Sequence, residues 1–278
     1  MRTGLNNVLC FWSHIRVMAA VALMLVVTGC AAGKVPLSER IYSVNDEHLE
    51  LGVVWHEGVT FTDGLQLAVV RNYTQLESEE TLKIYIEGDG QAYISKGVVS
   101  GDPTPVNPVG LSLALADMHP SVMYIGRPCQ WVRGPECKDR HLWTTERFNE
   151  RMAAAYVSVI RKESQGRPVE LVGYSGGAWV ALQVAARLEN VVKVSTVAGN
   201  LMPEYVNAHH NVRQIEVAAY PPGRLVTLPI VAYVGVNDTI VPRGVVEDFQ
   251  AKTGARNLKV METDASHGEG WESLFNKI

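Results

Sequence analysis

Apolar positions along this chain follow two rhythms. Some are short runs that alternate or consist of β-branched residues, and others recur every third or fourth position. Leu49-Glu-Leu-Gly-Val-Val-Trp55 and Leu65-Gln-Leu-Ala-Val-Val70, separated by polar and glycine-containing turns, read as leading strands, antiparallel at one edge. Leu82-Lys-Ile-Tyr-Ile86 is the next strand and runs directly into Glu87-Gly-Asp-Gly-Gln91, whose glycines let the backbone expose N–H groups. The proline-rich stretch 102–108 delays the next helix until Asn107, expected as its N-cap with Pro108 at the first helical position. Leu111, Leu115 and Met118 then share one face. Val122-Met-Tyr-Ile125 reads as a strand, and residues 144–163 as the clearest amphipathic helix, with Phe148, Met152, Tyr156, Val159 and Ile160 on its apolar stripe. A further apolar run, starting at Val169, ends at Gly173 and gives way to an Ala-rich helical segment. Beyond it, residues 191–197 and 228–234 are β-branched runs suited to buried parallel strands. A helix over 245–252 precedes the strand Leu258-Lys-Val-Met-Glu262, and a short helix near 271–277 closes the sequence.

Strands alternating with helices predict a doubly wound α/β fold: a mostly parallel sheet of about eight strands with helices on both faces. At 278 residues, without internal repeats, the chain suits one large domain. Only residues 200–228 leave room for a lid, which must be small.

Composition narrows the partners more than the fold. Formal net charge is −4, and Arg2 and Arg16 are the only charged residues among the first 29, so losing that segment leaves about −6 and no basic block. Nucleic acid is therefore not an expected partner. The arginines and the apolar run 17–27, too short to span a bilayer comfortably, mark a targeting segment. It ends in Val27-Thr28-Gly29-Cys30, which resembles the lipobox of bacterial lipoprotein signal peptides. That resemblance implies a signal peptide over 1–29, cleavage before Cys30, acyl chains on Cys30, a tether over 30–39 and a folded domain over 40–278. Several acyl chains on one residue would anchor the protein to the membrane without a spanning helix. An ordinary signal peptide or an uncleaved anchor is the alternative. The expected location is the bacterial envelope, at the outer membrane or the periplasmic face, since Ala31 lacks acidic character after the cysteine.

Export changes the reading of the cysteines. Cys10 lies upstream of the expected cut. Cys129 and Cys137 lie eight positions apart in a loop-like stretch of a protein bound for an oxidising compartment, so a local disulfide is expected, with two free thiols the alternative. No second Cys or His pair has metal-ligand spacing, and neither metal nor cofactor is expected.

The candidate chemistry centres on Gly173-Tyr-Ser-Gly-Gly177. A Gly-x-Ser-x-Gly pattern between an apolar strand and a helix is the nucleophile elbow, a turn so tight that small residues must flank the serine. A serine hydroxyl needs a base, and the base an orienting acid. His267 follows the last strand and is the candidate base. The other histidines lie in the signal segment, the leading strands, the cysteine loop, the lid region or just past a helix. Asp238, after the strand ending near Val234, is the candidate acid, although it could simply cap a turn, and Glu262 and Asp264 are nearer His267 in sequence. The backbone N–H of Gly176 and one from Asp89 or Gly90 are the candidate oxyanion donors. Trp131, Trp143 and Tyr93 are candidates to line an acyl pocket, with plain packing the blander reading.

The order Ser175, Asp238, His267 and the segments Ile86-Glu-Gly-Asp-Gly90, Asp102-Pro-Thr-Pro105, Gly126-Arg-Pro-Cys-Gln130, Trp143-Thr-Thr-Glu-Arg-Phe148 and Val197-Ala-Gly-Asn200 resemble those of α/β-hydrolase serine hydrolases of the bacterial envelope. The resemblance implies the fold and a Ser-His-Asp triad; separately, the expected partner is a small-molecule acyl substrate and the expected state a monomer. It names no substrate. Glu87 stands where many relatives carry histidine. The leading expectation is cleavage of a carboxylic ester or related acyl bond through an acyl-enzyme. An acyltransferase or amidase using the same triad, or a non-catalytic envelope binding lipoprotein, are the alternatives.

Overall fold

A computed structural model of the chain describes residues 34–48, 53–73, 80–275 and 277–278. The signal-peptide and Cys30 readings, and residues 49–52 of the first expected strand, lie outside the described residues. In chain order the elements are α1 (Leu37–His48), β1 (His56–Thr62), β2 (Leu65–Arg71), β3 (Leu82–Ile86), β4 (Tyr93–Ser95), β5 (Val98–Val99), α2 (Val109–Leu115), β6 (Val122–Ile125), α3 (Glu150–Ser164), β7 (Val169–Tyr174), α4 (Gly176–Ala185), β8 (Val191–Val197), α5 (Pro203–His209), β9 (Ile230–Gly235), α6 (Gly244–Thr253) and β10 (Leu258–Thr263).

Eight strands form one sheet in the order β1-β2-β6-β3-β7-β8-β9-β10, while β4 and β5 make a separate hairpin. β1 and β2 are antiparallel to each other, and β2 is antiparallel to β6. Every pairing from β6 through β10 is parallel. Side chains of the central strands alternate between two cores, as the period-two pleat requires. Ile84, Ile86, Met123, Ile125 and Leu171 pack with α3, α4 and α6 on one face. Tyr85, Val122, Tyr124 and Val172 pack with α1, α2 and Trp271 on the other. Burial on both faces is why these strands read as continuous apolar runs. Trp179 of α4 is fully buried and meets Phe148 edge-on at 5.3 Å. Truncating such a side chain to alanine costs about 3–5 kcal/mol.

Several expectations change near the ends of elements. Helix α1 begins inside the expected tether. Leu37, Ile41 and Val44 have helical spacing, and the first two are buried. Among the described residues the first strand is His56–Thr62, and residues 53–55 before it are not strand; β1 turns Thr60 and Thr62 inward and leaves Val59 and Phe61 exposed. Its alternation is thus inverted, so its pattern does not point an apolar face at the core. Trp55 is instead a buried plug whose backbone N–H and C=O both bond the Asn45 side chain.

Helix α3 starts at Glu150, since the side chain of Asn149 accepts the Met152 N–H at 3.0 Å, and a 3-10 turn at Arg140–Trp143 precedes it. Asn107 does not cap α2. Its amide donates to the carbonyl of Gly268, and Met118 lies beyond the helix end, exposed. The closing helix is a 3-10 turn, Trp271–Leu274. Cys129 and Cys137 form a disulfide with their Cα atoms 5.6 Å apart.

Candidate active site

Strand β7 delivers Ser175 at φ 48° and ψ −120°, a conformation that a non-glycine residue holds only when its surroundings enforce it. Those surroundings are explicit. The Ser175 N–H donates to Val197 and its carbonyl accepts from Asn200, both at 2.9 Å. A Cβ on Gly173 would lie 2.5 Å from the Cα of Ala178, and one on Gly177 would lie 2.3 Å from the carbonyl oxygen of Ile86. Both flanking glycines therefore let strand and helix approach at backbone distance.

His267, in the loop after the edge strand β10, meets this serine from two strands beyond the neighbour of β7. Its Nε2 is 3.0 Å from the Ser175 hydroxyl and its Nδ1 is 2.9 Å from Oδ2 of Asp238. The Tyr174 hydroxyl and the Trp271 indole both donate to the His267 carbonyl at 3.0 Å, fixing the backbone that carries the ring. The Asp238 side chain is almost fully enclosed. Its Oδ1 accepts the N–H groups of Ile240 and Val241, so the turn-capping role and the contact with His267 coexist in one carboxylate. Burial opposes its ionisation, but the His267 hydrogen bond and charge, with the two backbone donors, outweigh burial and hold its pKa below the usual value. The sequence-adjacent rivals are engaged elsewhere: Asp264 accepts from Asn237, and Glu262 faces Arg243.

Gly176 opens α4, so its N–H has no acceptor within the helix. The loop 88–90 lies across from it. The Gly88 N–H is already taken by the Glu87 carboxylate, and Asp89 and Gly90 remain the candidates for a second donor. Glu87 is 1% exposed and does what Asn107 was expected to do, accepting the N–H groups of Gly110 and Leu111 at the start of α2 together with the Tyr124 hydroxyl. Burial raises its pKa, against the pull of the backbone N–H groups of Gly88, Leu111 and Gly110.

A cleft of about 640 Å³ opens over Ser175 and His267, with Tyr93, Val106, Arg147, Val206 and Ile240 among its walls. Tyr93 takes the position suggested for it. Trp131 and Trp143 do not, because their indole N–H groups bond Tyr124 and the Ser100 carbonyl away from the cleft. A separate cavity of about 500 Å³ beneath Pro221 and Pro222 shares no wall residue with it. Sequence reasoning did not single out Arg127, Gln130 or Arg147 individually, although all three lie inside segments that carry the resemblance. Among the described residues, no group of three or more His, Cys, Asp or Glu side chains is placed to hold a metal ion. Nor is any described helix long and apolar enough to cross a membrane.

Sheet order, elbow and strand-end loops together define an α/β-hydrolase fold. A family model described as a thioesterase domain matches residues 135–198, which contain α3, the elbow and β8. Two crystal forms of the Pyrococcus furiosus esterase Pf2001 superpose with TM-scores of 0.51 and 0.50. Each is 14% identical and covers 82% and 83% of this chain, and 88% and 90% of its own. An α-β serine hydrolase homologue from Coxiella burnetii is 18% identical at a TM-score of 0.47, over 77% of this chain and 89% of its own. No curated protein matches the sequence.

Proposed function

We propose that this protein is a serine hydrolase that cleaves a carboxylic ester or related acyl bond. The single observation that carries the reading is the unbroken hydrogen-bonded chain from the Ser175 hydroxyl through His267 to Asp238 at the floor of an open cleft. In the mechanism, Ser175 attacks the acyl carbon while His267 takes its proton. Asp238 orients the ring and stabilises the imidazolium. The tetrahedral oxyanion is met by the N–H of Gly176 and by that of Asp89 or Gly90. His267 then returns the proton to the leaving group, and water releases the acyl-enzyme by the same steps in reverse roles.

A thioester is the second reading, favoured by the thioesterase-domain match across residues 135–198. The two leaving groups call for the same protein parts. A panel of p-nitrophenyl esters, acyl thioesters and anilides of graded chain length tests both: the proposal requires turnover of at least one ester or thioester that disappears in Ser175→Ala. We further propose, from the sequence at 27–30, that the enzyme works outside the cytoplasm, tethered to the envelope by acyl chains on Cys30.

A further inference from the structure

The loop 88–90 is gripped by two segments that the proposed mechanism does not use. Gln130 donates through Nε2 to the carbonyls of Gly88 at 2.9 Å and Pro103 at 3.5 Å, and its Oε1 accepts the Arg127 N–H at 2.9 Å. Arg127 reaches Oδ1 of Asp89 at 3.1 Å and the carbonyl of Arg147 at 2.6 Å. Arg147 donates to Oδ2 of Asp89 at 2.8 Å and to the carbonyl of Thr144. Arg127 and Gln130 are themselves buried, in a loop that the Cys129–Cys137 disulfide ties to the following 3-10 turn. Cys129 and Trp131 hold φ values of 67° and 66°, so this loop has little freedom to relax.

The Asp89 carboxylate abuts Gly176. A Cβ on that glycine would sit 2.2 Å from Oδ1. A bare carboxylate there would face the site where negative charge develops on the substrate oxygen, and the repulsion would raise the barrier. Two guanidinium groups on one carboxylate reverse the sign of the local charge and fix the loop's orientation at once.

We propose that Arg127, Gln130 and Arg147 are positioning residues for the oxyanion site: they hold the loop 88–90 against Gly176 and mask the charge of Asp89. This inference rests on the acyl-hydrolase reading. Its test is a steady-state cycle on the full chain with wild type, Arg147→Gln, Asp89→Asn and the double variant, with thermal melts confirming that each is folded. Arg147→Gln should lower kcat at least tenfold while KM changes less than threefold. Adding Asp89→Asn should recover most of that loss, since no charge remains to mask, and Arg147→Lys should retain more activity than Arg147→Gln.

A plain structural role would make the double variant worse than either single one. That result, or a kcat for Arg147→Gln within twofold of wild type, overturns the proposal. A wild type that turns over no ester or thioester and takes no fluorophosphonate overturns the hydrolase reading along with it. A wild type that does both, with unaffected variants, overturns the positioning role alone.

Discussion

The carboxylate of Asp238 divides its two oxygens between two tasks: Oδ2 lies 2.9 Å from the imidazole of His267, while Oδ1 accepts the N–H groups of Ile240 and Val241. The two backbone donors orient the carboxylate toward the ring, and on the proposed mechanism that contact would hold His267 in one tautomer. Asp238→Asn keeps the shape but can present an N–H to His267 where an acceptor is needed. On the proposed mechanism, kcat should fall on the order of 10³–10⁴-fold with little change in KM, measured by steady-state hydrolysis of the best ester in the panel.

The same carboxylate has a pH signature. Its folded pKa is lowered, so the stabilisation is present above the unfolded value of about 3.9 and is lost as pH falls through the folded value. Urea unfolding of wild type and Asp238→Asn from about pH 5 to about pH 2 should show the wild type losing stability more steeply. Parallel curves would mean the carboxylate gains nothing from its partners.

Glu87 offers a test of what holds the start of the loop 88–90 and of α2. Its two oxygens accept from Gly88, Gly110, Leu111 and Tyr124, with no polar partner to spare. Glu87→Gln turns one acceptor into a donor facing donors, and should destabilise the fold by about 1–3 kcal/mol in chemical denaturation.

How much of this was legible in the sequence depended on what each segment buries. β3, β6, β7 and β8 read correctly because both their faces are enclosed over most of their length, so most of their positions are apolar. β1 did not, because its inward positions are threonines. The hairpin β4–β5 is held outside the main sheet with most of its side chains exposed, and it leaves no periodic trace.

Ser175, His267 and Asp238 could be nominated because each follows a strand whose pattern was clear. The Glu87 cap and the Arg127–Asp89–Arg147 cluster join residues 20 to 60 positions apart, as with Asp89 and Arg147 at a separation of 58, and no local rule pairs them. The motif Gly126-Arg-Pro-Cys-Gln130 was visible as a resemblance, but its contacts with Gly88 and Asp89 are visible only in the fold.

The elbow's glycines make a sharper prediction than the motif alone. Gly177→Ala places a methyl 2.3 Å from the Ile86 carbonyl and 2.5 Å from that of Glu87, atoms of β3 and of the residue leading into the loop 88–90, where the proposed mechanism puts its second oxyanion donor. Relief requires backbone movement at the site itself. Stability should drop by about 1–3 kcal/mol, and activity should fall by more than the unfolded fraction explains. Comparing melting curves with turnover at a temperature where the variant is fully folded separates the two effects.

The envelope proposal stands or falls on Cys30. Cys30→Ser should release the protein from membranes or block its processing, read by fractionation and by the mass of the amino-terminal peptide. Unchanged membrane association with normal cleavage would refute lipidation and leave the hydrolase proposal intact.

On the proposed mechanism Ser175 is a nucleophile activated through His267. Incubating the purified protein with a fluorophosphonate probe and locating the adduct by peptide mass spectrometry addresses it most directly. A single adduct should form on Ser175, none in Ser175→Ala, and labelling should be much slower in His267→Ala. A folded wild type that takes no label, or one whose labelling survives Ser175→Ala, contradicts it.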